Sequence, residues 1–253
     1  MYFDSHAHYD DRRFDDDRHE ALLSLAENGI SNITNIGSDI KTSKKSVALA
    51  EKYDFIYAAV GVHPHEVKDM QDADLLEIAN LSKHKKVVAI GEIGLDYYYD
   101  HSPREAQRYW FKKQMKLAYD LKLPVVIHSR DATEDTIKIC KESKIHGGII
   151  HCFSGSVETA EIYLDLGYHI SFAGPVTFKN SKSLPEVAKI VPEDRLLIET
   201  DCPYMAPEPH RGKRNCSVYV KYVAEKIADL RGVSAEHIAK ITSDNAKKLF
   251  NIK

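Results

Sequence analysis

The sequence predicts a single-domain (β/α)8 barrel spanning residues 1–253. Two observations point there. Eight short apolar, β-rich runs alternate with polar turns and amphipathic stretches, at a repeat of about 28 residues. The chain length of 253 residues then matches eight βα units without requiring a second domain. A doubly wound open sheet is the alternative that the same alternation allows.

The runs are YFDSHAH (2–8), ISNITNIG (30–37), FIYAAVG (55–61), VVAIGEIG (87–94), PVVIHS (124–129), GGIIHCF (147–153), YHISFAG (168–174) and RLLIETD (195–201). Helical patterns lie between them, among them RHEALLSLAENG (18–29), SKKSVALAEKY (43–53) and ETAEIYLDLG (158–167). Alternating strands and helices imply parallel strands joined by right-handed crossovers. The helix beginning at SPREAQRYW has Ser102 as an expected N-cap, Pro103 at its first position and Glu105 completing a capping box. Leu123-Pro124 ends that helix and opens the next strand. No Pro/Gly/Ser-rich linker divides the chain. The tail, CSVYVKYVAEKIADLRG and SAEHIAKITSDNAKKLF, reads as two helices that close the barrel.

Composition narrows the function classes. Hydrophobic residues make up 43% of the chain, enough for a sizeable core, and the net charge of −3 excludes a uniformly basic nucleic-acid-binding surface. Any contact with nucleic acid must come from a local patch or from bound metal. The four cysteines (Cys140, Cys152, Cys202, Cys216) show no CxxC spacing, so reduced thiols and a cytoplasmic location are expected. The acidic N-terminus lacks the apolar stretch of a signal peptide, and no run approaches the roughly 18 residues of a membrane span.

Chemistry gathers at the run ends. His6 and His8 stand at i and i+2 and share one strand face, with Asp4 on the same parity. Glu92 lies in the fourth run, His128 in the fifth, His151 in the sixth and Asp201 ends the eighth. Buried without partners, such groups cost several kcal/mol each. At the C-terminal ends of barrel strands they converge on one mouth, where a divalent metal neutralises them. Imidazoles and carboxylates without thiolate suit two ions of the Zn, Mn, Ni, Co, Fe or Mg type, and Glu92 is placed to bridge them. Two such ions lower the pKa of bound water to about 7. Cys152 and Cys202 follow ligands directly, and strand alternation would turn both toward the helices.

With these motifs in order (DSHAHYD, GVHPH, GEIGLDYYYD, VIHSRDA, HCFSG and ETDCPYMAPEPHRGKRN), the chain resembles the TatD-type metal-dependent hydrolases of the amidohydrolase superfamily from end to end. The resemblance implies a distorted barrel, a site for up to two or three divalent ions and deoxyribonuclease activity, mainly 3′-to-5′ exonuclease action. It implies His6, His8, Glu92, His128, His151 and Asp201 as metal ligands. Glu92 stands where other branches of the superfamily place a carboxylated lysine, which points away from dihydroorotases and phosphotriesterases. After RGKRN, family members often carry Glu-Pro, and this chain has Cys216-Ser217.

Roles follow from position. Asp201 is the expected ligand and general base, Glu92 is a ligand at the catalytic centre, and His63 is the candidate to contact a phosphate oxygen or protonate a leaving group. Arg130, Arg211, Lys213 and Arg214 are the candidate phosphate contacts. Glu199 and Asp4 are read as supports or core carboxyls, and His65 is a weaker companion of His63. Tyr97 to Tyr99 offer either base stacking or packing. His19, His84, His101, His146, His169 and His237 fall in predicted helices or loops and receive no role. DNA is the expected substrate, with no membrane and no obligate protein partner. The alternatives are hydrolysis of a small amide, ester or phosphoester on the same barrel, a barrel that binds without turnover, and a polymerase-and-histidinol-phosphatase-type phosphoesterase, which leaves ETDCPY unexplained.

Overall fold

A computed structural model describes residues 1–145 and 147–252. In chain order its elements are β1 (Tyr2–Ala7), α1 (Arg18–Glu27), β2 (Ile30–Ile36), α2 (Ile40–Lys52), β3 (Ile56–Val60), α3 (Asp72–Leu81), β4 (Val87–Asp96), α4 (Arg104–Leu121), β5 (Val125–Arg130), α5 (Thr133–Glu142), β6 (Gly148–Ile150), α6 (Val157–Asp165), β7 (His169–Phe172), α7 (Leu184–Ile190), β8 (Leu196–Ile198), α8 (Val220–Arg231) and α9 (Ala235–Leu249). All eight expected strands are present. They form one sheet in sequential order. Ala7, at the end of β1, is bridged in parallel to Cys202, just past β8. A sequential order whose first strand meets its last is that of a (β/α)8 barrel, not of a doubly wound open sheet.

The contacts divide the chain into two compact units, Met1–Asn35 with Cys152–Glu161 and Ile170 onward, and Ile36–His151 with Ile162–His169. In the first unit β1 pairs with β2 and β7 with β8, all parallel. Its core is closed from the C-terminal end. Phe250, just after α9, packs on Phe3 of β1 at 6.1 Å between ring centroids. Val223, Ala224 and Ile227 on α8, and Ile238 and Ala246 on α9, are fully buried at helical spacing. Gly232 takes the left-handed conformation that ends α8, and Ser234 caps α9 by accepting from the His237 N–H.

In the second unit β3, β4, β5 and β6 pair in parallel. All ten residues of β4 are buried, as expected of a parallel strand covered on both faces. Gly94 is required there: a Cβ would lie 2.0 Å from the His128 carbonyl oxygen on β5. Helix α4 turns Trp110, Phe111, Met115 and Ala118 inward, and with them two buried glutamines. Gln114 pairs with both backbone groups of Val62, accepting from its N–H (2.8 Å) and donating to its carbonyl (3.0 Å). Gln107 does the same with Asp96 (2.8 and 3.1 Å). Each amide acts as a strand neighbour where the sheet ends, satisfying backbone groups that would otherwise be buried without partners.

The start of α4 differs from the expected capping box. Pro103 is the N-cap, with no side-chain cap bond. Ser102 is taken by the neighbouring loop, donating to the His65 carbonyl (2.8 Å) and accepting from the Lys68 N–H (3.1 Å). Of the histidines given no role, His169 lies in β7 and is buried, contrary to the expected helix or loop, and His146 lies outside the described residues.

Candidate metal centre

The first unit brings His6, His8 and Asp201 together. The alternation of β1 carries His6 and His8 to one side, and their Nε2 atoms lie 3.0 Å apart. Asp201 Oδ1 is 3.7 Å from His6 Nε2 and 3.5 Å from His8 Nε2. Backbone bonds set this register: the Asp201 N–H donates to the His6 carbonyl (2.9 Å) and the His8 N–H to the Cys202 carbonyl (2.7 Å). Beneath them Asp4 is fully buried and accepts from the Thr200 N–H (2.9 Å), the Thr200 hydroxyl (2.5 Å) and the Ser217 hydroxyl (2.6 Å). Burial pushes the Asp4 carboxyl up to about 7, against the lowering effect of the bonds from Ser217 and Thr200.

Ser217 belongs to the pair that departs from the family pattern. Its N–H also donates to the Tyr9 hydroxyl (3.0 Å). A proline at this position could supply neither donor. Glu199, also fully buried, accepts from the Cys152 N–H (2.7 Å). The sixth and eighth strands stop before Cys152 and Asp201, and both residues have positive φ (41° and 56°). Strand alternation therefore does not govern them. Cys152 is half-buried, whereas Cys202 is buried as expected.

The second unit gathers Glu92, His63, His128 and His151. Glu92 Oε1 is the hub, 2.7 Å from His151 Nε2, 3.0 Å from His128 Nδ1 and 3.4 Å from His63 Nε2. His128 Nδ1 and His151 Nε2 are 3.2 Å apart. Burial lowers the His63 imidazole to about 4, only partly offset by Glu92. Burial opposes the charge of Glu92, yet the surrounding histidines, His151 first, hold its carboxyl well below the ordinary range. His128 moves the other way: burial disfavours its charge, but the bonds to Asp96 and Glu92 raise it. Glu92 therefore favours its charged form and His128 its protonated form, whereas His63 disfavours protonation. Donor atoms of His63, Glu92 and His128 lie within 4.8 Å of one another, close enough to hold one ion. His63, expected outside the ligand set, is part of that group.

Asp96 was not singled out by sequence reasoning. Its Oδ2 lies 3.0 Å from His128 Nε2 and 2.9 Å from His65 Nε2. The available signal was its spacing from Glu92, four positions on in the motif GEIGLDYYYD. The outer ring nitrogen of a metal-binding histidine commonly meets such a carboxylate.

The expected phosphate contacts differ in their surroundings. Arg130 stacks over Tyr98 and Tyr99, with its guanidinium 4.1 and 4.8 Å from their ring centroids. Arg211 lies over Phe178 at 4.2 Å, and Lys213 is exposed. Arg214 is engaged, donating to the Arg13 carbonyl (2.7 Å) and to both oxygens of Asp17 (2.7 and 2.5 Å).

Imidazole and carboxylate clusters of this kind on a (β/α)8 barrel suit a pair of divalent ions and define a metal-dependent hydrolase. The family model described as TatD related DNase matches residues 3–251, and the chain belongs to that family. It is 50% identical to the metal-dependent hydrolase YabD of Bacillus subtilis (strain 168), over the full length of both chains. It is 35% identical to the 3'-5' ssDNA/RNA exonuclease TatD of a Rahnella species, over 94% of each chain. Among solved structures, the Escherichia coli K12 TatD homolog YJJV matches with a TM-score of 0.94 and 32% identity, over 100% of this chain and 98% of that one. Among the described residues no helix is long and apolar enough to cross a membrane.

Proposed function

We propose that the protein is a metal-dependent deoxyribonuclease that removes nucleotides from the 3′ end of a strand. The observation that carries this reading is the pair of donor clusters, His6, His8 and Asp201 in one unit and Glu92, His128 and His151 in the other. Each would hold a divalent ion, with His63 beside the second. Bound ions of this type activate water at neutral pH and stabilise charge on both the attacking and leaving oxygens of an in-line displacement. The 3'-5' ssDNA/RNA exonuclease name of the Rahnella relative supports a nucleic-acid substrate.

The side chains divide the remaining work. Asp201 accepts the proton of the attacking water. His63 offers its ring to a phosphate oxygen or to the leaving group. Arg130, Arg211 and Lys213 carry the positive charge that positions the strand's phosphates. Arg214 joins them only where phosphate displaces Asp17.

The test is cleavage of end-labelled single-stranded DNA by chelator-stripped protein and by protein reloaded with Mg, Mn, Zn, Ni or Co. Stepwise trimming from the 3′ end that requires the ion is the expected result. Asp201→Ala should lower kcat/KM by about 10²–10⁴-fold. Absence of cleavage with every ion, despite measured occupancy, overturns the nuclease reading and leaves a hydrolase of small amides, esters or phosphoesters.

A further inference from the structure

Three consecutive tyrosines follow β4, and they are not equivalent. Tyr97 is an anchor. Its hydroxyl donates to Asp135 (2.5 Å) and accepts from Arg108 (3.1 Å), while the Arg104 guanidinium lies 4.3 Å from its ring. Tyr98 and Tyr99 are 57% and 49% exposed, and among the described residues neither hydroxyl is hydrogen-bonded. Their rings stand edge to face, 4.9 Å apart. The Tyr99 ring also lies parallel to His101, at 13° and 5.5 Å.

The backbone that carries these exposed rings is tied down. The N–H groups of Tyr98 and Tyr99 donate to Asp96 Oδ1 (3.0 and 2.8 Å), and the other oxygen of the same carboxylate meets His128. Arg130, which packs on both rings, is two residues beyond His128 on β5 and shares its strand face. Among the described residues no carboxylate pairs with its guanidinium. Packing against Arg130, His65, His101 and each other still leaves Tyr98 and Tyr99 about half exposed, and their hydroxyls are not engaged among the described residues as that of Tyr97 is.

Half-exposed aromatic rings with a guanidinium laid over them, following the carboxylate that meets a metal-site histidine, are suited to one kind of ligand. An unpaired nucleobase offers a π-face of any identity, and its phosphate offers the anion. We infer that Tyr98, Tyr99 and Arg130 form a stacking site for an unpaired base of the strand being cleaved. The inference rests on the nuclease reading above and deepens it. A duplex keeps the faces of its bases covered, so this site favours single-stranded substrate and is tolerant of sequence.

The experiment uses the full-length chain carrying Asp201→Asn, so that bound DNA stays intact. Affinity for a labelled single-stranded oligodeoxynucleotide is read by fluorescence anisotropy. The same oligonucleotide is tested with a single abasic site moved through the nucleotides nearest its 3′ end. An abasic site at the stacking position should weaken binding about 5- to 100-fold. Adding Tyr98→Ala or Tyr99→Ala should weaken binding of the intact strand by a similar factor and abolish the abasic penalty. Tyr99→Trp should retain both the affinity and the penalty, which separates stacking from a folding defect. If the alanine variants keep the full abasic penalty, the base stacks elsewhere and the inference falls while the nuclease reading stands. If the parent chain neither binds nor cleaves DNA with any ion, the nuclease reading fails and the stacking site fails with it.

Discussion

Asp96 shows how one buried carboxylate can organise several groups at once. Burial disfavours its charge, but the bond to His128, the Tyr99 N–H and the bond to His65 together hold it well below the usual carboxylate range. One oxygen fixes the tyrosine loop and the other orients His128. Replacing it with asparagine keeps the shape and removes the charge that orients the imidazole. Asp96→Asn should therefore reduce the affinity of chelator-stripped protein for Mn or Zn by about 10- to 100-fold, measured by titration calorimetry, with an unchanged near-UV spectrum. Unaltered affinity would mean that Asp96 only braces the loop. Asp4 and Ser217 form a comparable arrangement below His6. There the departure from Glu-Pro to Cys216-Ser217 supplies a hydroxyl and an N–H, and both find buried acceptors.

At the scale of elements, the loop from β4 to α4 is tied at two points, by Asp96 at its start and by the Tyr97–Asp135–Arg108 group along its side. The bond from Tyr97 holds the Asp135 carboxyl below its ordinary 3.8, against the opposing effect of burial and with further contributions from Arg108. A carboxyl lowered by folding adds stability that is complete above its unfolded pKa and is lost as pH falls through the folded one. Asp135→Asn should cost about 0.5–1 kcal/mol in urea unfolding at pH 7, small because the group is only half-buried and its ion pair is screened by solvent. The gap between variant and parent should close as pH drops below about 4. A gap that persists at pH 2 would assign the cost to packing.

The legibility of this sequence changes at the strand ends. The strands themselves were readable because apolar runs and their spacing depend on local pattern. The clustering of histidines and carboxylates was readable because such groups behind an apolar run require partners. Ser102 was misread because its hydroxyl serves a loop distant in sequence, and Asp96 was passed over because only its fold neighbours reveal what it does. Cys152 and Asp201 lie past the last strand residue, where positive φ replaces alternation and the two-residue period no longer predicts direction.

For the whole molecule, the candidate ligands are scattered along the chain from His6 to Asp201, so no preformed site exists in the unfolded state. Metal binding is then linked to folding. An ion at 100 times its Kd adds about 2.7 kcal/mol to the folded state. For a chain of this length that corresponds to a rise in Tm of about 5–10 °C. Chelator-stripped protein should melt lower by this margin, and the melting point should climb with the logarithm of added Mn or Zn concentration. His151→Ala should flatten the dependence, because it removes the donor nearest Glu92 Oε1, at 2.7 Å. The contrast with Phe250→Ala separates metal from core. That truncation removes a buried ring packed on Phe3 and should cost about 3–5 kcal/mol whether or not metal is present. Its melting curves should lie lower but keep the slope against metal concentration. If the parent protein melts at the same temperature with and without metal, the clusters do not bind ions tightly enough to stabilise the fold, and their part in hydrolysis would rest on weak occupancy during turnover.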